Sequence, residues 1–425
     1  MKWKVRKSHL SGTIAPPPSK SHTIRAVLIA ALAGGTSEIR RPLPGSDGES
    51  ALRAAAALGA GVTRHEDAVR IEGVGGVVDK GDTGLFCGNS GTTMRLFTSA
   101  AALGARPRRF DGDASLRTRP MRPLLDALRE LGISYTCEDK GRDIPFVVTG
   151  PMHGGSATVG GVSSQFLSSL LLCCPLARAD STITVENLHE RPYVEITLWW
   201  LRRMGIMHAV SADMSTYSIK GNQRYEPIDL SIPGDFSSAT FGAVAGALRG
   251  ADIALTGLDL SDPQGDKEIF HTLGQFGARV HQDHDRITVS EGRPLRGREA
   301  DLNGMPDALP AMAVLGTAAE GMTRLSNVAQ ARIKETDRLA VMTRELRKMG
   351  ALITEESDAL VIQRSPLSGA AVDGHHDHRV VMALALAGMI AEGETVIDTA
   401  ESADVTYPGF VESFRELGAE IEVVD

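Results

Sequence analysis

Single cations placed inside otherwise apolar helical stretches suggest anion chemistry in this 425-residue chain. In SKSHTIRAVLIAALAGG the only Lys or Arg are Lys20 and Arg25, and in GNSGTTMRLFTSAAALG the only one is Arg95. A cation buried among apolar residues is costly unless something anionic meets it. Ser163, Ser164 and Gln165 open another such stretch, Asp307 another, and Asp377, His378 and Arg379 the last. The first turn of a helix presents unpaired N–H groups and about half a positive charge, so these openings favour phosphates and carboxylates. SLRTRPM adds Arg117 and Arg119, and ARIKETDRL adds Arg332, Lys334, Glu335, Asp337 and Arg338. Lys334 and Arg338 read as i,i+4 neighbours on one helical face, with Glu335 beside Lys334. The set suits a small molecule carrying several negative charges, held in a cleft whose closure expels water.

Taken singly, these segments have plainer readings. KETDRL alone is a solvated helix face, and Ser-Ser-Gln alone is a helix cap. His375, His376 and His378 around Asp377 lack a second ligand group at metal spacing, so a loop with one site histidine is expected. The Met residues, Trp199 and Trp200 read as packing. Solvation does not explain basic residues recurring at equivalent places in several repeats.

Those repeats are the elements that position the charges. A stretch ending in an apolar residue plus Gly recurs six times, marked by Gly59, Gly132, Gly205, Gly277, Gly350 and Gly418 at spacings of 73, 73, 72, 73 and 68. A second helix, almost wholly apolar and therefore buried, alternates with it at the same period. Strand-like runs such as AVRIEG, PFVVTG, TYSIKG and RITVSEG separate the two. The unit is strand, buried helix, strand, exposed helix and two strands. Six units allow three per domain, and two compact domains suit the chain better than a solenoid, because no terminal copy looks like a polar cap. The chain is expected to cross near Pro233 and Gly234 and to return near Pro16 to Pro18. That places one domain at 14–231 and the other at 1–13 plus 232–425.

Composition narrows the field. Apolar residues make up 42% and charged residues 23%, enough for a sizeable core. A net charge of −8 without a Lys/Arg block argues against a nucleic-acid partner. The longest apolar run, Val380 to Ala391, falls short of the roughly 20 residues a membrane helix requires. The N-terminal MKWKVRKSHL lacks a signal-peptide core and reads as a first strand. Cys87, Cys137, Cys173 and Cys174 form no CxxC pair and read as core thiols in a reducing cytoplasm.

PSKSHTIRAVLIAALA, GNSGTTMRLF, DASLRTRPM, SSQFLSSLLL, RPYVEITL, MPDALPAMAV, RIKETDRLA and HDHRVVMALALA together resemble the 5-enolpyruvylshikimate-3-phosphate (EPSP) synthase family of enolpyruvyl transferases. The likeness runs almost end to end. It implies a two-domain inverse α/β barrel, each domain built of three βαβαββ repeats with buried central helices. It also implies transfer of the enolpyruvyl group of phosphoenolpyruvate to the 5-hydroxyl of shikimate 3-phosphate, with loss of phosphate and no metal or organic cofactor. The resemblance implies that Lys20, Asp307 and Glu335 are catalytic. Shikimate 3-phosphate would meet Lys20, Ser21, Arg25, Ser163, Ser164, Gln165, Tyr193, Asp307 and Lys334. Phosphoenolpyruvate would meet Lys20, Asn89, Gly91, Arg119, Gln165, Arg338 and Arg379. A cytoplasmic monomer is expected, with these two small molecules as partners.

Three positions depart from the family pattern. Glu190 stands where a Ser is common and would repel a phosphate unless it turns away or pairs with Arg191. Gln330 replaces an Asn, and Val405 replaces a Lys. Two rival readings are a transferase with a different acceptor and a catalytically silent anion binder. DASLRTRP lacks the reactive Cys of the sister enzyme that acts on UDP-N-acetylglucosamine, and plain anion binding would not favour Asp307 and Glu335.

Overall fold

The structure, a computed structural model, describes residues 1–424. Helices of two kinds alternate along the chain: α1 (Lys20–Leu32), α2 (Ser46–Ala57), α3 (Gly91–Ala101), α4 (Arg122–Glu130), α5 (Ser164–Cys173), α6 (Arg191–Arg203), α7 (Phe236–Arg249), α8 (Ile269–Phe276), α9 (Leu309–Ala318), α10 (Arg338–Lys348), α11 (His378–Ile390) and α12 (Phe410–Glu416). The odd-numbered helices are the apolar ones. In α3 all eleven residues are buried, and in α11 only Ile390 is not. The even-numbered helices bury one face; α4 covers Leu124, Leu125, Ala127 and Leu128 while Arg122 and Glu130 face water. This is the difference expected between a core helix and an amphipathic surface helix. The marker glycines follow the even helices, all in the left-handed region, with φ from +67° at Gly205 to +112° at Gly277. That conformation ends a helix and is accessible to glycine without a Cβ clash, which is why the residue marks the period.

Among the described residues, six four-stranded sheets share one pairing scheme. In the second repeat, Gly84–Phe86 lies parallel to Arg108–Asp111, which pairs antiparallel with Phe146–Thr149, itself antiparallel to Ser134–Cys137. Parallel neighbours require a crossover, and here the buried helix α3 supplies it. Three sheets recruit a strand from far away in sequence. Asp229–Ser231 runs parallel to Gly34–Arg40, and Leu10–Ile14 runs parallel to Gly250–Thr256. Lys2–Arg6 lies antiparallel to both Glu394–Asp398 and Glu420–Val424.

Contacts divide the chain into two compact units. Unit 1 comprises Met1–Pro17 with the chain from Pro233 onward, and unit 2 is Pro18–Ile232. Ile14 belongs with unit 1 because it pairs with Leu255. Each unit has its own apolar core. In unit 1, α7, α9 and α11 each touch the other two; in unit 2, α3 touches both α1 and α5. Burying such faces at about 25 cal/mol per Å² is what offsets the ordering of the chain. No helix among the described residues is long and apolar enough to cross a membrane.

One buried carboxylate fastens α10 to its neighbours. Glu345 is fully buried and accepts from Lys348 Nζ at 2.6 Å, Arg344 Nε at 3.1 Å and the Asp373 N–H at 3.0 Å, and lies 3.0 Å from His375 Nε2. Burial alone would raise its pKa, but these donors outweigh that and bring it down to about 2. A depressed pKa contributes stability above the unfolded value, near 4.3, that is lost as pH falls toward 2. Glu345→Gln should therefore cost about 1–3 kcal/mol at neutral pH. It should also flatten the acid limb of stability below about pH 4, as read by denaturant melts at several pH values.

Candidate active site

In unit 2 the three buried helices open on serine caps. Ser19, Ser90 and Ser163 each accept a backbone N–H from the first turn that follows. Lys20, at the start of α1, meets the buried Asp47 carboxylate at 3.3 Å. Arg25, one turn further on and 2% exposed, is held by neutral oxygens only. Its Nε donates to Thr197 Oγ1 at 2.9 Å, Nη1 to the Ser21 carbonyl at 2.9 Å, and Nη2 to the Tyr193 carbonyl at 3.1 Å and Ser168 Oγ at 3.3 Å. It forms no ion pair among the described residues, and burial pushes its pKa down to about 10. A guanidinium kept charged at that cost is poised for an anionic ligand.

The other openings of unit 2 are linked side chain to side chain. Arg119 Nη2 donates to Asn89 Oδ1 at 2.5 Å and to Ser115 Oγ at 3.3 Å, and Asn89 donates onward to Asp113 at 2.8 Å. Arg95 lies 5.1 Å from the centre of the Phe166 ring and donates to Gln165 Oε1 at 2.7 Å, while Gln165 Nε2 donates to Thr92 Oγ1 at 3.0 Å. Gly91 lets these cations approach: a Cβ there would lie 3.1 Å from Arg119 Nη1 and 3.5 Å from Arg95 Nη1.

In unit 1 the hub is Arg338, 1% exposed. Its Nη1 donates to Asp307 at 2.7 Å, Nη2 to Glu335 at 2.7 Å and to Asp377 Oδ1 at 3.2 Å, and Nε to Asp377 Oδ2 at 2.8 Å. Burial disfavours its charge, but Asp377, Glu335 and Asp307 more than offset this and hold its pKa above the usual arginine value. Asp307 also meets Arg379 Nη2 at 2.9 Å, so one carboxylate bridges two guanidinium groups. Asp377 is fully buried and caps α11, accepting the Arg379 N–H at 2.9 Å.

The residues expected from sequence thus fall into two sets. Unit 2 holds Lys20, Ser21, Arg25, Asn89, Gly91, Arg119, Ser163, Ser164, Gln165 and Tyr193; unit 1 holds Asp307, Lys334, Glu335, Arg338 and Arg379. One expectation is corrected. Lys334 and Arg338 do not share a helical face, because Lys334 ends the 3-10 turn Ala329–Ile333 and α10 starts only at Arg338, capped by Asp337. Glu190 neither turns away nor pairs with Arg191. It is buried and accepts from the Ser164 hydroxyl at 2.9 Å. Gln330 is buried, with Nε2 3.4 Å from the Asn303 carbonyl, and Val405 is half-buried in the turn Ala400–Val405. His375 is engaged with Glu345 and Arg344, and no group of three or more metal-ligating side chains occurs among the described residues.

Sequence reasoning missed the residues that orient the site. Asp47 lies in the first turn of α2, and nothing local in the sequence ties it to Lys20. Asp377 showed only as a helix opening, not as the partner of Arg338. Arg95 was visible as a cation in an apolar helix, but its hold on Gln165 requires the packing of α3 on α5.

The repeat architecture and its arginine-lined helix openings define the class: an enolpyruvyl transferase fold. The solved enolpyruvyl transferase NikO from Streptomyces tendae shares it with a TM-score of 0.81 over 99% of this chain and 98% of that one, at 19% identity, a likeness of fold alone. An EPSP synthase structure from Acinetobacter baumannii matches with a TM-score of 0.83 and 27% identity over the whole of both chains. The chain belongs to the EPSP synthase (3-phosphoshikimate 1-carboxyvinyltransferase) family, whose model matches residues 5–414. The 3-phosphoshikimate 1-carboxyvinyltransferase of Acetivibrio thermocellus is 49% identical over 426 residues, covering 100% of both chains. That of Ruminiclostridium cellulolyticum is 47% identical over 421 residues, covering 99% of each.

Proposed function

We propose that this chain transfers the enolpyruvyl group of phosphoenolpyruvate to the 5-hydroxyl of shikimate 3-phosphate and releases phosphate. The observation that carries the reading is Arg338 holding Asp307 and Glu335 at 2.7 Å each. A protein that merely bound anions would gain nothing from carboxylates fixed there, whereas acid–base chemistry requires them. In this reading Asp307 orients the 5-hydroxyl and takes its proton as the oxygen attacks C2 of phosphoenolpyruvate. Glu335, with Lys20, delivers a proton to the methylene carbon. The tetrahedral intermediate then loses a proton from the new methyl group together with phosphate, restoring the enol double bond.

Substrate placement follows charge. Arg25 with Ser21 takes the shikimate carboxylate, and Ser163, Ser164 and Lys334 take the shikimate phosphate, with Gln165 and Tyr193 lining the pocket. Asn89, Gly91, Arg119, Gln165, Arg338 and Arg379 receive phosphoenolpyruvate, and Lys20 touches both substrates. Arginine suits planar carboxylates and phosphates because its donors pair with two oxygens at once. A cytoplasmic monomer completes the proposal; the four cysteines are free thiols, which suits a reducing compartment. Phosphate release on mixing the two substrates with the protein tests the function, and no release from this pair overturns it.

Gly91 offers a further test at the donor site. A methyl group 3.1 Å from Arg119 Nη1 forces the guanidinium to shift by a few tenths of an ångström. Gly91→Ala should therefore raise the KM for phosphoenolpyruvate by about tenfold while moving that for shikimate 3-phosphate much less. Glyphosate should compete with phosphoenolpyruvate in the unaltered protein and lose potency in this variant. Steady-state inhibition kinetics on both proteins decide the matter.

A further inference from the structure

A carboxylate of the chain itself sits on the helix opening assigned above to the acceptor phosphate. Glu190 is 1% exposed, and its Oε2 accepts from Ser164 Oγ at 2.9 Å and from the Ser164 N–H at 3.3 Å. Ser164 is the first residue of α5, and Ser163 is its cap, so the end of α5 that favours an anion holds one. The loop that delivers it is conformationally costly. Glu190 has φ +53°, a region that residues with a Cβ other than Asn and Asp avoid. Glu190 precedes α6 without capping it through its side chain, so its carboxylate serves α5 and not its own helix.

We propose that Glu190 is a specificity-determining residue, the resting occupant of the acceptor-phosphate subsite, which the phosphoester must displace from Ser164. The inference rests on shikimate 3-phosphate being the acceptor and on Ser163 and Ser164 meeting its phosphate. Two anions cannot share one hydroxyl and one N–H, and their repulsion is large in a site shielded from water. Every acceptor therefore competes against an internal carboxylate. A dianionic phosphomonoester competes better than a monoanion or a neutral polyol, so the arrangement selects for the phosphorylated acceptor and weakens its affinity at the same time. The displaced carboxylate has a destination in Arg191, which is exposed and forms no ion pair among the described residues.

Glu190→Gln keeps the acceptor oxygen for Ser164 and removes only the charge. Calorimetric titration with shikimate 3-phosphate should show at least about tenfold tighter binding than the unaltered protein. The KM for shikimate 3-phosphate should fall alongside it, with the KM for phosphoenolpyruvate changing less than about twofold. Glu190→Ser, read in the same way, covers the case in which the glutamine variant fails to fold. Equal or weaker binding by a folded variant overturns the proposal, including when only the melting temperature drops, since that is what a purely structural cap would give. If the unaltered protein releases no phosphate from the substrate pair, the functional reading fails separately. Titration of both proteins with inorganic phosphate then decides on Glu190 without turnover: tighter binding by the variant supports the proposal, and equal binding overturns it.

Discussion

Replacing Arg25 with methionine should lower kcat/KM for shikimate 3-phosphate by about 10²–10³-fold while leaving stability within about 1 kcal/mol. The asymmetry comes from its surroundings. Four neutral oxygens hold the guanidinium, and no carboxylate among the described residues neutralises it. Its own desolvation offsets most of what those hydrogen bonds contribute to folding. Methionine fills a similar volume and removes a buried charge, while Thr197 and Ser168 still bond to each other at 2.8 Å. The assigned substrate carboxylate, by contrast, loses its partner in a dry site. Denaturant melts and initial rates on the same preparation check both halves. Near-normal kinetics would show that Arg25 is only a packing residue.

Arg338→Met should behave in the opposite way, losing about 3–5 kcal/mol of stability as well as activity, because it strips a buried counter-charge from several acids at once. Asp377 is fully buried, and Asp307 and Glu335 are largely so; Arg338 meets all three, whereas Arg379 meets Asp307. Lysine cannot restore the arrangement, since a single ammonium does not reproduce a fork that reaches three carboxylates. The check is a denaturant melt of both variants beside the unaltered protein. A stable but inactive Arg338→Met would show that the acids do not need the Arg338 charge for folding.

Much of this was legible in the linear chain for a physical reason. Glycines in the left-handed conformation and buried helices both leave strong local marks, so the repeat and its element order can be read without coordinates. In the sheet of the sixth repeat one strand is Lys2–Arg6, which no local pattern could assign to Glu420–Val424. The Lys334–Arg338 spacing misled because helical periodicity does not reveal where a cap such as Asp337 starts the helix. Charge-to-charge pairings were the least accessible. Lys20 with Asp47 depends on how two helices of one repeat pack, and Arg338 with Asp377 on how two successive repeats pack, and spacing carries no record of either.

The placement of Lys2–Arg6 and Leu10–Ile14 also bears on how the polypeptide is made. These strands are synthesised long before their partners at Gly250–Thr256, Glu394–Asp398 and Glu420–Val424. Unit 2 is complete once Ile232 has been translated and can fold while synthesis continues, whereas Lys2–Arg6 must wait for Glu420–Val424 to be made. Closing pairs so distant in sequence is slow, so the sheet that holds Lys2–Arg6 should form late and leave that strand exposed to proteases and chaperones until its partners are available.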